Sequence, residues 1–193
     1  MRQIVFASNN AHKLRELREI LGEGFEVLGL SDIGCHDDIP ETADSFEGNA
    51  LLKARYVKEH YGYDCIADDS GLEVDALGGA PGIYSARYAG PGHDSVANMR
   101  LLLDNMEGVT DRSARFVTVI ALILNGRELT FEGRVEGEIL TAPQGEGGFG
   151  YDPVFRPEGG ELSFAMMSAD AKNAISHRGR ATAALMEYLD TMD

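Results

Sequence analysis

Ile4-Val5-Phe6-Ala7-Ser8-Asn9-Asn10-Ala11-His12-Lys13-Leu14 sets a short β-rich apolar run against a polar turn. Leu14, Leu17, Ile20 and Leu21 then fall on one face of a helix that Gly22 can end. Strand, loop and helix in that order predict an α/β fold. Glu26 to Leu30 reads as the next strand, and Ser31 to Asp44, acidic and broken by Gly34 and Pro40, as a loop. A second helix follows, with Ser45 near its start and Phe46, Ala50, Ala54 and Val57 at helical spacing.

Further along, Cys65-Ile66-Ala67 has the look of a short buried strand that delivers Asp68, Asp69 and Ser70 to its C-terminal edge, where open α/β sheets hold their ligands. Gly78-Gly79-Ala80-Pro81-Gly82 excludes regular structure. Asp94 or Ser95 can cap a helix that turns Met99, Leu102, Leu103 and Met106 inward. Arg115 to Leu124 and Glu128 to Val135 flank Asn125-Gly126, whose tolerance of positive φ predicts a tight hairpin. Two short helical patterns close the chain, one starting near Ser168 and one carrying Ala181, Ala184, Leu185, Tyr188 and Leu189.

With 193 residues, 44% hydrophobic and 25% charged, the chain fits one globular domain over 1–193, with room for two lobes. Its 32 acidic residues against 17 basic ones give a net charge of -15. That balance repels a polyanion and excludes a basic stripe for a nucleic-acid backbone, so nucleic acid is not an expected partner. A small anion is still admissible where lysines, helix N-termini or a bound cation invert the local field. Cys35 and Cys65 are not spaced for a metal or a disulfide framework and read as free thiols in a reducing compartment. No apolar run approaches bilayer length and no leader precedes Gln3, so the expectation is a soluble, cytoplasmic protein with no membrane partner.

Four stretches could carry chemistry. Ser8-Asn9-Asn10-Ala11-His12-Lys13, between strand and helix, offers backbone donors, a positive helix end and the Lys13 charge to a phosphate, although Ser8 or Asn10 capping the helix is the plainer use. Asp68-Asp69-Ser70-Gly71 puts two carboxylates side by side, and a bridging divalent cation such as Mg²⁺ would relieve their repulsion. Glu41, in the acidic loop, could add a ligand if that loop folds over the same edge, while a solvated polar turn is the alternative. Gly145 to Pro153 combines dense glycine with Phe149 and Tyr151, which suits close backbone approach and stacking as well as mere architecture. Ser176-His177-Arg178-Gly179, with Lys172 upstream, gathers cationic groups at a helix start where the dipole gives them nothing, so an anion or a carbonyl-rich ligand would justify them. Lys53 reads as a surface lysine until a phosphate is proposed.

Together these segments resemble the inosine triphosphate pyrophosphatase family, also described as the dITP/XTP pyrophosphatases. The resemblance lies in Ser8-x-Asn10-x-x-Lys13, Phe46-x-x-Asn49-Ala50-x-x-Lys53-Ala54, Ala67-Asp68-Asp69-Ser70-Gly71-Leu72, Gly78 to Arg87, Gly147-Gly148-Phe149-Gly150-Tyr151-Asp152-Pro153 and Ser176-His177-Arg178-Gly179. They occur in the family's order across nearly the whole chain. Glu146, where many relatives carry threonine, and His12 in a variable slot are the departures.

The resemblance implies a two-lobed α/β domain with an extended mixed β-sheet flanked by helices, a central nucleotide-binding cleft, and a homodimer. It implies hydrolysis of ITP, dITP and XTP to the monophosphate and pyrophosphate, with Mg²⁺, or Mn²⁺ in its place, as cofactor. Carried over by residue, it makes Asp69 the general base and Glu41, Asp69 and the adjacent Asp68 the metal site. Ser8, Asn10, Lys13 and Lys53 become phosphate handlers, with Asn9, Ala11, His12 and Ser70 lining the same contacts. Phe149, Gly150, Tyr151, Asp152, Lys172, His177 and Arg178 become the purine pocket. A Maf-like pyrophosphatase with another base preference and a non-catalytic nucleotide sensor are the rival readings. A haloacid-dehalogenase-type phosphatase is weaker, because Asp68-Asp69-Ser70 lacks that chemistry's spaced aspartates.

Overall fold

A computed structural model describes residues 1–192. Six strands run as β1 (Arg2–Phe6), β2 (Phe25–Leu28), β3 (Cys65–Val74), β4 (Ser113–Leu124), β5 (Arg127–Ile139) and β6 (Phe155–Pro157). Five helices accompany them: α1 (Ala11–Leu21), α2 (Phe46–Tyr61), α3 (Ser95–Asn105), α4 (Ala169–Ile175) and α5 (His177–Asp190). The strands form one mixed sheet in the order β2-β1-β3-β4-β5-β6. In it β1 pairs in parallel with both β2 and β3, whereas β5 and β6 are antiparallel. The α/β expectation therefore holds, and no helix among the described residues is long and apolar enough to cross a membrane.

The chain divides into two compact units. The first holds Met1–Asp69, Val119–Phe131 and the C-terminal segment from Ala183, and the second holds Ser70–Thr118 and Glu132–Thr182.

In the first unit, β1, α1 and β2 make a parallel crossover, in which Ile4, Val5 and Phe6 of the strand and Leu17 and Leu21 of the helix are all buried. The Asn10 side chain accepts hydrogen bonds from the His12 and Lys13 amides and so caps α1. Strand β2 stops at Leu28, two residues before the expected end. There the Gly29 N–H donates to Asp32 Oδ2 at 2.7 Å, so a local side-chain hydrogen bond satisfies the amide a longer strand would have paired. Ser45 caps α2, whose Phe46, Ala50, Ala54 and Val57 are buried at the expected spacing. Asn125 and Gly126, with φ of 53° and 77°, form the hairpin turn, and both flanking strands are longer than their β-branched cores suggested.

Strand β3 corrects the sequence reading most. It continues through Val74, so Asp68, Asp69 and Ser70 sit in a strand interior rather than at its end. Strand β1 runs out at Phe6, paired with Ile66, while Leu72 and Val74 are fully buried. Apolar alternation after Gly71 thus carries the extended backbone past the acidic pair. A second correction falls at the end of the glycine-rich stretch, whose last residue, Gly82, opens a 3₁₀-helix over Gly82–Arg87.

The second unit is centred on Leu72, Val74, Leu102, Met106, Val135, Ile139 and a trio of aromatic rings. Phe116, Phe155 and Phe164 lie with centroids 4.6, 5.8 and 5.1 Å apart, within the range of favourable ring packing. The first turn of α5 crosses β5 at Gly133, where an added Cβ would lie 2.0 Å from the His177 carbonyl oxygen and 2.5 Å from the Ala181 nitrogen. Both obstacles are backbone and cannot rotate away. Gly133→Ala is therefore expected to lower the thermal midpoint by roughly 5 °C or more, the scale of an overpacked core; an unchanged melting curve would show that α5 is not held at this approach.

Candidate functional site

The first unit gathers carboxylates and lysines around the middle of β3. Lys13, projecting from the first turn of α1, donates to Asp68 Oδ2 at 3.2 Å. Lys53, from α2, reaches the Asp68 carbonyl at 2.5 Å and Glu41 Oε1 at 3.2 Å. Glu41 comes from the acidic loop ahead of α2, so that loop does fold onto the lysine facing β3.

Asp69 shares this cluster. Burial pushes its carboxyl up to about 6, a rise that Lys53 opposes and Glu41 and Asp68 reinforce. The neighbouring Asn49 amide favours the charged form, although its buried Nδ2 makes no hydrogen bond. Asn49 is fixed for this task, because its Oδ1 accepts the Ala43 N–H at 2.9 Å, which turns the amide nitrogen toward donor work. Sequence reasoning gave Asn49 no role in the site. The available signal was its place one helical turn before Lys53, on the same face of α2.

These oxygen donors fit a hard divalent cation. Among the described residues no group of three or more His, Cys, Asp or Glu side chains is placed to hold a metal ion by itself, as an all-protein cage would. Mg²⁺ seldom needs one: it binds through one or two carboxylates and completes its shell with water and ligand phosphate oxygens. Three carboxylates facing two ammonium groups also leave the cluster with surplus negative charge, which a cation would offset.

The remaining members of the N-terminal loop have local duties. Ser8 Oγ accepts the Asn10 N–H at 3.1 Å, and Asn9, Asn10, Ala11 and His12 are exposed. Capping and anion binding are compatible here, since a capped N-terminus still directs its other amides outward.

The second unit contains a pocket of about 290 Å³ lined by Ser70, Phe116, Phe149, Tyr151, Asp152 and His177, among others. The glycine-rich loop supplies one wall. Asp152 is 3% exposed, yet its Oδ2 accepts from the Phe149 N–H at 3.0 Å and from Lys172 Nζ at 2.6 Å, so the buried charge is paired. A side chain at Gly148 would place its Cβ 2.2 Å from that oxygen, which explains a glycine there. Lys172 Nζ also lies 4.7 Å from the centre of the Phe149 ring, a cation–π distance. Phe149 itself is 71% exposed, an open aromatic face at the pocket edge.

His177, at the start of α5, is buried and stacks on Phe116 with centroids 4.9 Å apart and planes 15° from parallel. Arg178 beside it is half-buried. Tyr151 donates its hydroxyl to the Ser85 carbonyl at 2.7 Å, which makes its ring a fixed wall. Ser70 Oγ and Thr118 Oγ1 are 2.8 Å apart. Phe116 and Ser85, which also line the pocket, were not anticipated, for nothing in a β-branched strand or a glycine-rich turn marks one residue as a pocket wall.

The structure therefore places Glu41, Lys13, Lys53, Asp68 and Asp69 together in one unit, and Phe149, Tyr151, Asp152, Lys172 and His177 together in the other. The first set offers carboxylate oxygens and two ammonium groups, with one carboxyl raised to about 6. The second can take a flat ring with carbonyl groups.

Known proteins share this arrangement of sequence and fold. The Ham1 family model matches residues 4–188. A dITP/XTP pyrophosphatase of Flavobacterium psychrophilum is 52% identical over 96% of this chain and 98% of its own, and one from Christiangramia forsetii is 54% identical over 97% and 98%. Among solved structures, the Ham1 protein of Staphylococcus aureus superposes with a TM-score of 0.96 at 41% identity, covering 100% of both chains. The nucleoside-triphosphatase / dITP/XTP pyrophosphatase of Mycobacterium abscessus gives 0.85 at 47% identity, over 95% of this chain and 98% of that one. With a family model spanning almost its full length and relatives of this similarity, the chain belongs to the Ham1 family.

Proposed function

We propose that this protein hydrolyses ITP, dITP and XTP between the α and β phosphates, releasing the monophosphate and pyrophosphate and so clearing non-standard purines from the nucleotide pool. The observation that carries the reading is Asp69: a carboxyl raised to about 6, beside a lysine and two further carboxylates, is poised to act as a base near neutral pH. The names of the relatives support the same substrate class.

In this mechanism Asp69 orients a water and accepts its proton as the oxygen attacks the α phosphorus. Lys13 and Lys53, now paired with Asp68 and Glu41, turn to the phosphate oxygens and stabilise the charge that develops on the leaving pyrophosphate. Glu41 and Asp69, with Asp68 beside them, would hold Mg²⁺, or Mn²⁺ in its place, and the ion supplies charge neutralisation to the phosphate oxygens. Ser8 and the amides at the start of α1 assist with phosphate.

Purine choice belongs to the pocket of the second unit. Inosine and xanthosine carry a carbonyl at position six where adenosine carries an amino group. Lys172, His177 and Arg178 are donors suited to an acceptor, and each mismatched donor costs on the order of 1–3 kcal/mol. Phe149 and Tyr151 give the ring its apolar walls. The whole chain acts as a single pyrophosphatase domain in this reading, homodimeric as the family resemblance implies and cytoplasmic, where two free thiols stay reduced.

The decisive experiment incubates the protein with a panel of triphosphates, with and without Mg²⁺, and assays pyrophosphate and orthophosphate separately. ITP, dITP and XTP should yield pyrophosphate only with the metal; orthophosphate as the sole product would point to a different hydrolase, and tight binding without turnover to a sensor.

Asp69→Asn should lower kcat by about 100-fold or more while changing KM little, because it removes the base and keeps the shape. Steady-state kinetics on ITP decide this, and wild-type turnover in the variant would remove Asp69 from the role.

Because the Asp69 pKa is raised, the carboxyl is neutral below about 6 and charged above it, and only the charged form can take a proton. kcat/KM should therefore rise with pH through that region and then level off. Cation and proton compete for the carboxylate, so more Mg²⁺ should move the rise to lower pH. A profile indifferent to both pH and Mg²⁺ across this range would contradict the assignment.

Lys172→Met should reduce kcat/KM for ITP by roughly 10- to 100-fold and affect ATP less, narrowing the discrimination between them. Equal losses on the two nucleotides would assign Lys172 to folding of the loop instead.

A further inference from the structure

Asp37 lies four residues before Glu41 in the acidic loop and is itself exposed. An exposed carboxylate is content with water, yet Tyr56 and Tyr61 of α2 both donate their hydroxyls to its Oδ2, at 2.7 and 3.1 Å. Hydrogen bonds to an ionised acceptor are shorter and stronger than neutral ones, and these two hold the Asp37 carboxyl below its usual range. The Tyr56 ring is fixed in its turn: it stacks on His60 with centroids 4.1 Å apart, and His60 Nδ1 donates to the Tyr56 carbonyl at 2.9 Å.

On the other side of Glu41 the same loop is held again. The Ala43 N–H donates to Asn49 Oδ1 at 2.9 Å, and Ser45 Oγ accepts the Gly48 N–H at 3.0 Å to cap α2. Asn49, Lys53 and Tyr56 recur at i, i+4 and i+7, so a single stripe of α2 carries an attachment on each side of Glu41 and its ion-pair partner between them. The spacing has a consequence for catalysis. Once a phosphate draws Lys53 away, Glu41 loses that ion pair, and the loop stays in place through Asp37 upstream and Ala43 with Ser45 downstream.

We infer that Asp37, Tyr56 and Tyr61 form a positioning clamp that keeps the acidic loop seated on α2 so that Glu41 stays available to a divalent cation while Lys53 is engaged by phosphate. The inference rests on the metal-binding role proposed for Glu41. None of the three residues touches substrate or metal in this account; they act through Glu41.

The test compares the Tyr56→Phe/Tyr61→Phe double variant with wild type and with Glu41→Gln. The double variant keeps both rings and loses both donors. Mn²⁺ alone is titrated into each protein and followed by electron paramagnetic resonance, and amide hydrogen exchange is measured over 36–44. The clamp predicts a Mn²⁺ dissociation constant raised roughly three- to tenfold, the scale of losing one or two charge-assisted hydrogen bonds behind a ligand, with faster exchange at Ala43. The Mg²⁺ concentration for half-maximal turnover of ITP should rise by the same factor, and turnover at saturating Mg²⁺ should return to the wild-type value, which a general loss of structure would not allow. If the double variant matches wild type in Mn²⁺ affinity and exchange while Glu41→Gln weakens the metal, the clamp is overturned and the role of Glu41 stands. If Glu41→Gln leaves Mn²⁺ binding and turnover unchanged, the role of Glu41 falls and the clamp falls with it. Should the double variant unfold, Asp37→Asn, which preserves the shape and removes the charge, is read by the same measurements.

Discussion

Lys53 is the interaction on which the first unit's chemistry depends. Its ammonium group joins Glu41 from the acidic loop to the Asp68 carbonyl on β3 and opposes the upward shift of Asp69. Carboxylates drawn this close repel one another, and their repulsion would swing the loop into solvent without a cation among them. A lysine suits the task better than an arginine would. Its compact charge on a flexible stem can transfer from a carboxylate to a phosphate without breaking a bidentate fork.

Helix α2 sets the geometry around that lysine. Its buried stripe of Phe46, Ala50, Ala54 and Val57 anchors it, and the neighbouring stripe of Asn49, Lys53 and Tyr56 faces the loop and β3. One rigid element thus fixes several site groups at once, which is more exact than holding each from a separate loop. The pocket of the second unit follows a different logic. There the buried Asp152 charge orders the glycine-rich loop from within, accepting the Phe149 amide and the Lys172 ammonium, so the loop that looks least structured in sequence is organised by a single carboxylate.

Much of this was legible from the residues. Capping by Asn10 and Asp94, the helix starts near Ser45 and Ser168, the Asn125-Gly126 turn and the apolar periodicity of α1 and α2 are short-range effects, settled within a few residues by backbone sterics and local hydrogen bonds. The course of β3 was not legible, because Asp68 and Asp69 look like the end of a strand unless their partners are known. Lys13 is 55 residues from Asp68, and no pattern around the acidic pair announces it. Phe116 escaped notice for the same reason, being one aromatic residue in a strand until α5 brings His177 against it.

The sequence by itself determined the α/β class, the starts of most helices, the hairpin, the family and the residue types available for metal, phosphate and base. Tertiary structure alone decided that Glu41 meets Lys53, that Asp69 is buried enough for its proton to leave near neutral pH, and that Asp152 rather than solvent receives Lys172. Local propensities act over neighbouring residues, whereas burial and pairing of charge depend on which distant segments exclude water together. A carboxylate's chemistry is set by that second kind of neighbour.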